Sequence, residues 1–390
     1  MIKRNAGATV RELAANYPAV IITGPRQSGK TTLARASFPH KHYVSLEHLD
    51  TRQFAREDPR LFLDRYSSGA VLDEVQHTPH LFSYMQERLD TDPTPGKYVL
   101  TGSQRLGINS EITQSLAGRA AYLELLPFSM SEIRETIAEY SLDRVLFSGL
   151  YPPVYDRELD PAIWAQNYVR SYVERDVRKV LNIRDLDTFQ RFLRLCAART
   201  GQLLNFSGLA SDAGITHNTA REWISVLQAT YIVFLLRPHH SNFSKRVIKS
   251  PKLYFHDTGL AAWLINIEGE THMNISSMRG PLFENLIVSE LLKTRYNTGR
   301  TSNLFFWRDR TGHEIDAVVQ DGENLIPVEM KSGKTLVSDS FKTLKWWKEL
   351  ASQDLAYLIY GGDETYSRSA AEVVSWRNTE ALESIQSIPD

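Results

Sequence analysis

The sequence predicts an α/β fold: a mostly parallel sheet with helices on both faces, then a helical segment, then a small α/β unit. Three observations point to it. From Val10 to about Ser148 short apolar runs (Ala19-Val20-Ile21-Ile22, Ala70-Val71-Leu72, Tyr98-Val99-Leu100) alternate with helical stretches, the pattern of parallel strands joined by crossover helices. A glycine-rich loop follows the first of these strands and opens a helix. Glycine and prolines in Gly149-Leu150-Tyr151-Pro152-Pro153 then end the alternation.

The loop Gly24-Pro25-Arg26-Gln27-Ser28-Gly29-Lys30-Thr31 has the spacing G-x-x-x-x-G-K-[ST], in the strand-to-helix context its mechanism needs. Its glycines let backbone N–H groups wrap phosphates, and the helix N-terminus adds a favourable dipole. Lys30 is placed to reach the β and γ oxygens, the Thr31 hydroxyl to ligate Mg²⁺, and Thr32 continues the binding segment. These residues predict a Mg²⁺-dependent nucleoside triphosphatase.

The strand Ala70–Leu72 ends in Asp73-Glu74. Two adjacent acids at a buried strand end are costly unless a cation neutralises them, so Asp73 is expected to hold Mg²⁺ through water and Glu74 to polarise the attacking water; the alternative is an acidic cap on the next helix. The third strand ends in Thr101-Gly102-Ser103-Gln104, where Ser103 or Gln104 is a candidate to orient the water or sense the γ-phosphate. Arg119, in Leu116-Ala117-Gly118-Arg119, is a candidate for an arginine supplied in trans if subunits form a ring, or else an ordinary surface arginine.

These four motifs together resemble prokaryotic AAA-type ATPases that carry a C-terminal domain of unknown function. So do Ser250-Pro251-Lys252-Leu253-Tyr254-Phe255-His256-Asp257-Thr258-Gly259-Leu260, Phe283-Glu284-Asn285 and Phe306-Trp307-Arg308. The resemblance covers nearly the whole chain. It implies an AAA-type core, a winged-helix segment, a nuclease-like terminal domain, and ATP as the nucleotide. Met330 in Val328-Glu329-Met330-Lys331 departs from the β-branched residue common in that group; with the acidic and basic positions kept, it is read as a packing change.

Beyond Pro161 the chain is helical to about Gln228. Asn205-Phe206-Ser207-Gly208-Leu209-Ala210 and Gly214-Ile215-Thr216-His217-Asn218-Thr219-Ala220-Arg221-Glu222-Trp223 have the helix, Gly turn and polar-started second helix of a helix-turn-helix. Trp223, Ile224 and Leu227 fall on one face, and the strand at 231–236 with the polar stretch 237–245 is a candidate wing. His217, Asn218, Thr219 and Arg221 then stand at the start of a recognition helix, where they can meet phosphates or base edges; the alternative is a lid or packing module. Although the net charge is only −1, residues 166–252 hold 14 Lys/Arg against 6 Asp/Glu, a net +8, which favours a DNA partner. Arg170, Arg175, Arg178 and Lys179 recur at helical intervals with Glu174 and Asp176 among them, and read as a solvated, salt-bridged face.

After Arg279-Gly280-Pro281 a helix (282–293) leads into strand-like runs at 304–307, 315–319 and 325–330. Glu284 on the helix, Asp316 on a strand and Glu329-x-Lys331 on the next, with 12 residues between Asp316 and Glu329, follow the order of the PD-(D/E)xK nuclease pattern. Alternation puts Glu329 and Lys331 on one face. There the carboxylates are placed to hold Mg²⁺ while Lys331 steadies an attacking hydroxide. Cleavage is a separate matter from fold, and a binding or latent role fits the same residues.

At 390 residues the chain is expected to hold roughly two to four domains, divided here as 1–150, 151–277 and 278–390. With 42% hydrophobic and 23% charged residues it reads as globular. No Arg-rich or apolar leader is seen, nor a run of about 18 uncharged apolar residues, so the expected location is the cytoplasm. Cys196 lies in an apolar helical pattern and reads as a buried core residue in a reducing compartment. Three functions follow as expectations: an ATPase, oligomeric and possibly ring-forming, that remodels or moves DNA, with branched DNA a candidate; a nucleotide-dependent switch on protein partners, with slow turnover indifferent to DNA; or an ATPase–nuclease of defence or repair, whose cleavage would need Asp316.

Overall fold

The computed structural model describes residues 2–103, 116–173, 185–239, 248–351 and 353–386. The chain divides into two compact units. One is Met1–Phe128 with Ala229–Tyr231 and Tyr296–Thr301; the other is Ser129–Gln228, Ile232–Arg295 and Ser302–Asp390.

The first unit is built on five parallel strands, β1 (Ala19–Thr23), β2 (His42–Ser45), β3 (Ala70–Asp73), β4 (Tyr98–Gly102) and β5 (Ala120–Glu124), in the order β2-β3-β4-β1-β5. β1, β3 and β4 are buried at every position, which explains why they read as continuous apolar runs rather than alternating ones. Alternation sorts their side chains to two faces. Ala19 and Ile21 of β1 pack with Ala55, Phe62, Leu81 and Met85 of the helices α3 (Leu49–Glu57), α4 (Pro59–Arg65) and α5 (Leu81–Thr91). Val20 and Ile22 face Ala6, Val10, Leu33 and Ala34 of α1 (Ala6–Asn16) and α2 (Lys30–Ser37). Helices thus cover both faces, as expected. The edge strand β2 has only Val44 buried and carried no signal in the sequence.

Two short distant segments complete this unit. The buried Tyr231 hydroxyl donates to Thr23 Oγ1 at 2.8 Å, at the end of β1. The 296–301 segment lies along α1, where Thr9 Oγ1 donates to the Asn297 carbonyl at 2.7 Å.

In the second unit, α6 (Leu186–Ala197) is followed by α7 (Phe206–Ala213) and α8 (His217–Ala229). Asn205 caps α7, its Oδ1 accepting from Gly208 N at 3.0 Å, and Gly214 closes it at φ 73°. Thr216 Oγ1 accepts from Thr219 N at 3.1 Å and starts α8. Phe189 and Phe192 of α6 meet the buried Trp223 edge-on at 5.2 and 5.1 Å. The expected helix, turn, helix is therefore present, and β6 (Val233–Leu236) and β7 (Lys252–Phe255) follow as an antiparallel pair. Of the candidate wing, the strand and residues 237–239 are described, whereas 240–245 lie outside the described residues, as do Arg175, Arg178 and Lys179. Cys196 is fully buried, and burial pushes its thiol pKa up.

α9 (Thr258–Leu264) and the long helix α10 (Arg279–Asn297) lead to a mixed sheet of six strands. These are β8 (Leu304–Arg308), β9 (Glu314–Asp321), β10 (Asn324–Lys331), β11 (Tyr357–Tyr360), β12 (Tyr366–Arg368) and β13 (Ala371–Ser375), in the order β12-β13-β11-β10-β9-β8. β8, β9 and β10 form an antiparallel meander, whereas β10, β11 and β13 run parallel. One face packs Trp307, Val318, Leu358 and Val373 against Phe341, Leu344 and Trp347, the last two on α11 (Lys342–Ala351). Among the described residues no helix is long and apolar enough to cross a membrane.

Candidate nucleotide site and acidic cluster

The loop after β1 can adopt its path only with glycine at its first position. Gly24 has φ 152°, and a Cβ there would lie 2.0 Å from the Leu125 carbonyl oxygen. Gly24→Ala is therefore expected to destabilise the protein by about 2–4 kcal/mol, read as a lower denaturation midpoint; an unchanged midpoint would refute the clash. Gly29, at φ 91°, caps α2, so the loop opens onto a helix N-terminus, a favourable seat for phosphate. Arg4 braces the loop, donating to the Ser28 carbonyl at 2.5 Å and the Leu126 carbonyl at 2.8 Å, with its guanidinium 5.0 Å from the Phe128 ring centroid.

Lys30 is 4% exposed, and its Nζ folds over the loop to the carbonyls of Gly24 (3.0 Å) and Pro25 (2.6 Å). Burial pulls its pKa down to about 8, with Glu74 and Asp73 acting in the opposite sense. The Ser28 hydroxyl is buried without a partner among the described residues. Pro25 is buried, Gln27 and Thr32 are exposed, and Arg26 lies 3.7 Å from Glu47.

Asp73, at the end of β3, is 6% exposed. Its carboxylate accepts from Thr31 Oγ1 at 2.9 and 3.0 Å, from the Tyr43 hydroxyl at 2.7 Å, and from Thr101 Oγ1. Burial, and then Asp73 itself, push the Tyr43 hydroxyl up to about 12. A hydroxyl and a carboxylate side by side at the phosphate loop are hard oxygen donors of the kind Mg²⁺ takes, so Thr31 and Asp73 fit that ion.

Glu74 leaves the strand in the left-handed region, at φ 57° and ψ 48°, uncommon for a residue with a side chain and a mark of functional sites. Its N–H donates to Thr101 Oγ1 at 3.3 Å. Its Oε2 accepts from Ser103 Oγ at 3.0 Å and from Gln76 Nε2, which also reaches Ser103 Oγ at 3.0 Å. Burial raises the Glu74 pKa, but Lys30, Gln76, Arg26 and Ser103 outweigh it and hold the carboxyl below its usual range. The structure thus brings Lys30, Thr31, Asp73, Glu74 and Ser103 together. Gln104 lies outside the described residues. Arg119 pairs with Asp90 and donates to the Ala117 carbonyl at 3.0 Å; such a half-exposed pair is worth about 0.2–1 kcal/mol.

Sequence reasoning missed Arg4, Tyr43 and the role of Gln76. Only Gln76 left a local signal, two residues after Glu74 in the same turn.

In the second unit, His217, Asn218 and Arg221 are exposed at the start of α8, with Thr219 half-buried. His217 and Arg221 flank the Phe206 ring at 5.8 and 5.7 Å. The basic side chain of Arg170 is also exposed.

The terminal acidic residues converge by strand alternation. β7 points Lys252 and Tyr254 the same way, and both reach Glu284: Lys252 Nζ at 2.8 Å and the Tyr254 hydroxyl by a hydrogen bond. Asn285, the next residue, locks α10 to β7, its Oδ1 accepting from Phe255 N at 2.8 Å and its Nδ2 donating to Phe255 O at 2.7 Å. On β9, Glu314 meets Lys252 Nζ at 2.5 Å and Arg308 Nη1 at 2.9 Å. Asp316 Oδ2 accepts from Met330 N at 2.9 Å, so the Met330 main chain serves the cluster while its side chain is buried. Lys331 Nζ contacts Glu329 Oε1 at 2.6 Å.

Burial, then Asp316, raise Glu284 to about 7 and Glu329 to about 8. Burial works to lower Lys252, but Glu284, Asp316 and Glu314 outweigh it and raise its pKa. Among the described residues no group of three or more His, Cys, Asp or Glu is arranged to hold a metal. Lys252, Tyr254 and Glu314 were not singled out from the sequence, although Lys252-x-Tyr254 and Glu314-x-Asp316 carry the two-residue spacing of a shared strand face.

Three known families match the chain along its length. An AAA domain matches residues 16–134, a domain of unknown function (DUF8612) residues 139–271, and a domain of unknown function (DUF4143) residues 279–379. An uncharacterized protein of Mycobacterium tuberculosis is 29% identical over 324 residues, covering 82% of this chain and 71% of its own length. Another, of Methanocaldococcus jannaschii, is 24% identical over 290 residues, 60% of each chain. Among solved structures, the Walker-type ATPase of Pyrococcus abyssi is similar with a TM-score of 0.46 and 14% identity, over 68% of this chain and 96% of that one. AMPPCP-bound DnaA from Aquifex aeolicus is similar with a TM-score of 0.31 and 16% identity, over 57% and 85%.

Proposed function

The chain joins an AAA domain to a C-terminal domain of unknown function of the DUF4143 kind, and from that premise we propose that it is a Mg²⁺-dependent ATPase acting on DNA. The observation that carries the hydrolytic part is the Glu74 carboxylate, hydrogen-bonded by Ser103 and held below its usual range by the charge of Lys30. In this reading the loop amides and the α2 N-terminus bind the β and γ phosphates, and Lys30 neutralises them. Thr31 and Asp73 would hold Mg²⁺, which when bound screens charge on the phosphates. Glu74 takes the proton of the attacking water, and Ser103 and Gln76 fix its orientation. Segments 1–150, 151–277 and 278–390 would then be the ATP-hydrolysing, DNA-binding and acidic parts.

The DNA part is supported by the exposed His217, Asn218 and Arg221 at the start of α8 and by the net +8 of residues 166–252. ATP turnover would reshape or move the duplex. The deciding measurement is steady-state ATP hydrolysis with Mg²⁺ at two salt concentrations, with single-stranded, duplex and four-way DNA. A rate raised by one DNA structure is expected, with the stimulation weakening as salt rises. Arg221→Ala should lower the apparent DNA affinity by about 0.5–2 kcal/mol, or roughly 2- to 30-fold, while leaving the DNA-free rate unchanged. A rate indifferent to every DNA would remove the DNA part and favour a switch acting on protein partners.

A further inference from the structure

The order Glu284, Asp316, Glu329, Lys331 suggests a metal-dependent cleaving site, but each of these carboxylates already has its own donor. Lys252 is 2% exposed and sits between Glu284 and Glu314, at 2.8 and 2.5 Å, with the Phe306 ring centroid 5.5 Å from its Nζ. The Tyr254 hydroxyl donates to the same Glu284 oxygen. Asp316 is engaged by the Met330 N–H, and Glu329 Oε1 by Lys331. Glu329 is 5% exposed, and its Oε2 has no partner among the described residues. An ammonium and a divalent cation repel when both contact one buried carboxylate, so Lys252 on Oε1 disfavours a metal at Glu284. Among the described residues no group of three or more His, Cys, Asp or Glu is arranged to hold a metal, so the residues do not fit one in this arrangement.

We propose that Lys252 is the resident cation of this cluster, an internal ammonium that neutralises Glu284 and Glu314 in place of a divalent ion. The domain then keeps its buried acids paired without metal and presents Lys331, 40% exposed at the cluster, as a binding group rather than part of a cutting centre. The proposal is independent of ATP turnover, which takes place in the other unit. It also accounts for a buried lysine that would be costly without paired carboxylates.

The test uses the full chain, Mn²⁺ as probe, and Lys252→Met, which removes the charge and keeps the length. In chelator, Lys252→Met should melt below the wild type, because Glu284 and Glu314 lose their counter-ion. Mn²⁺ should then restore it, binding about tenfold or more tighter than to the wild type. Adding Glu284→Gln should recover stability in chelator and abolish the Mn²⁺ response. Loss of stability without rescue by either Mn²⁺ or Glu284→Gln would overturn the counter-ion role. Should Lys252→Met fail to fold, Mn²⁺ titration followed by electron paramagnetic resonance compares the wild type with Asp316→Asn and Glu284→Gln. Equal bound Mn²⁺ in all three is expected. A site present in the wild type and lost in either variant would mean that the cluster holds metal with Lys252 present, and would overturn the proposal.

Discussion

Lys30→Ala is expected to lower the rate of ATP hydrolysis roughly 100- to 1,000-fold and to weaken nucleotide binding. The magnitude is that of removing one preorganised charged donor from a buried, water-poor site. The side chain is 4% exposed and lies across the loop carbonyls of Gly24 and Pro25, so no water readily takes its place. Arg26 is the nearby cation on the same loop, but it is turned toward Glu47 at 3.7 Å. Burial holds the Lys30 pKa near 8, and bound phosphate charge favours the protonated form the site needs. Hydrolysis in Lys30→Ala within a few-fold of the wild type, measured by phosphate release with saturating Mg²⁺ and ATP, would overturn the assignment.

Glu74→Gln is expected to leave nucleotide binding within a few-fold of the wild type and to lower turnover by about 10²–10⁴. The substituted amide keeps the shape of the side chain and can still accept from Ser103, but it cannot take a proton from water. The backbone should tolerate the change, because the left-handed setting of residue 74 is determined by the strand end and the following turn. Removing a mostly buried charge also spares its desolvation cost. Binding is checked with a fluorescent ATP analogue and turnover by phosphate release. A Glu74→Gln protein that turns over normally would move the base elsewhere.

Much of the candidate nucleotide site is legible because its residues are local in sequence. Gly24–Thr31 is one continuous loop, and Asp73-Glu74 ends a strand whose full burial makes it a continuous apolar run. Tyr43 was not legible: it reaches Asp73 only through the parallel pairing of β2 with β3, in which Ser45 stands opposite Asp73, and an edge strand with one buried residue leaves little apolar pattern to read. Arg4 likewise acts across more than 20 residues of chain on the Ser28 carbonyl.

In the acidic cluster the four residues in pattern order were visible, but the cation between the carboxylates was not. Lys252 precedes Glu284 by 32 positions and is placed by the hydrogen bonds of Asn285 to β7. The strands β11, β12 and β13 were missed because runs of three to five residues are too short for period alone to separate them from turns.

The nucleotide-binding unit is closed by Tyr231 and by the 296–301 segment, both far along the chain from its sheet. About 180 residues separate the last strand of that sheet, ending at Glu124, from Thr301. At a synthesis rate of about 5–20 residues per second that gap lasts roughly 10–35 s. For the first part of that interval, until Tyr231 is made, the hydroxyl that ties down Thr23, just before the phosphate loop, has not yet arrived, and for all of it the 296–301 segment is incomplete. The emerging chain therefore passes through a stage in which the sheet can form but its nucleotide cradle is unlatched, and residues 129–228 and 232–295 of the second unit are made before the first is complete, with 302–390 following it.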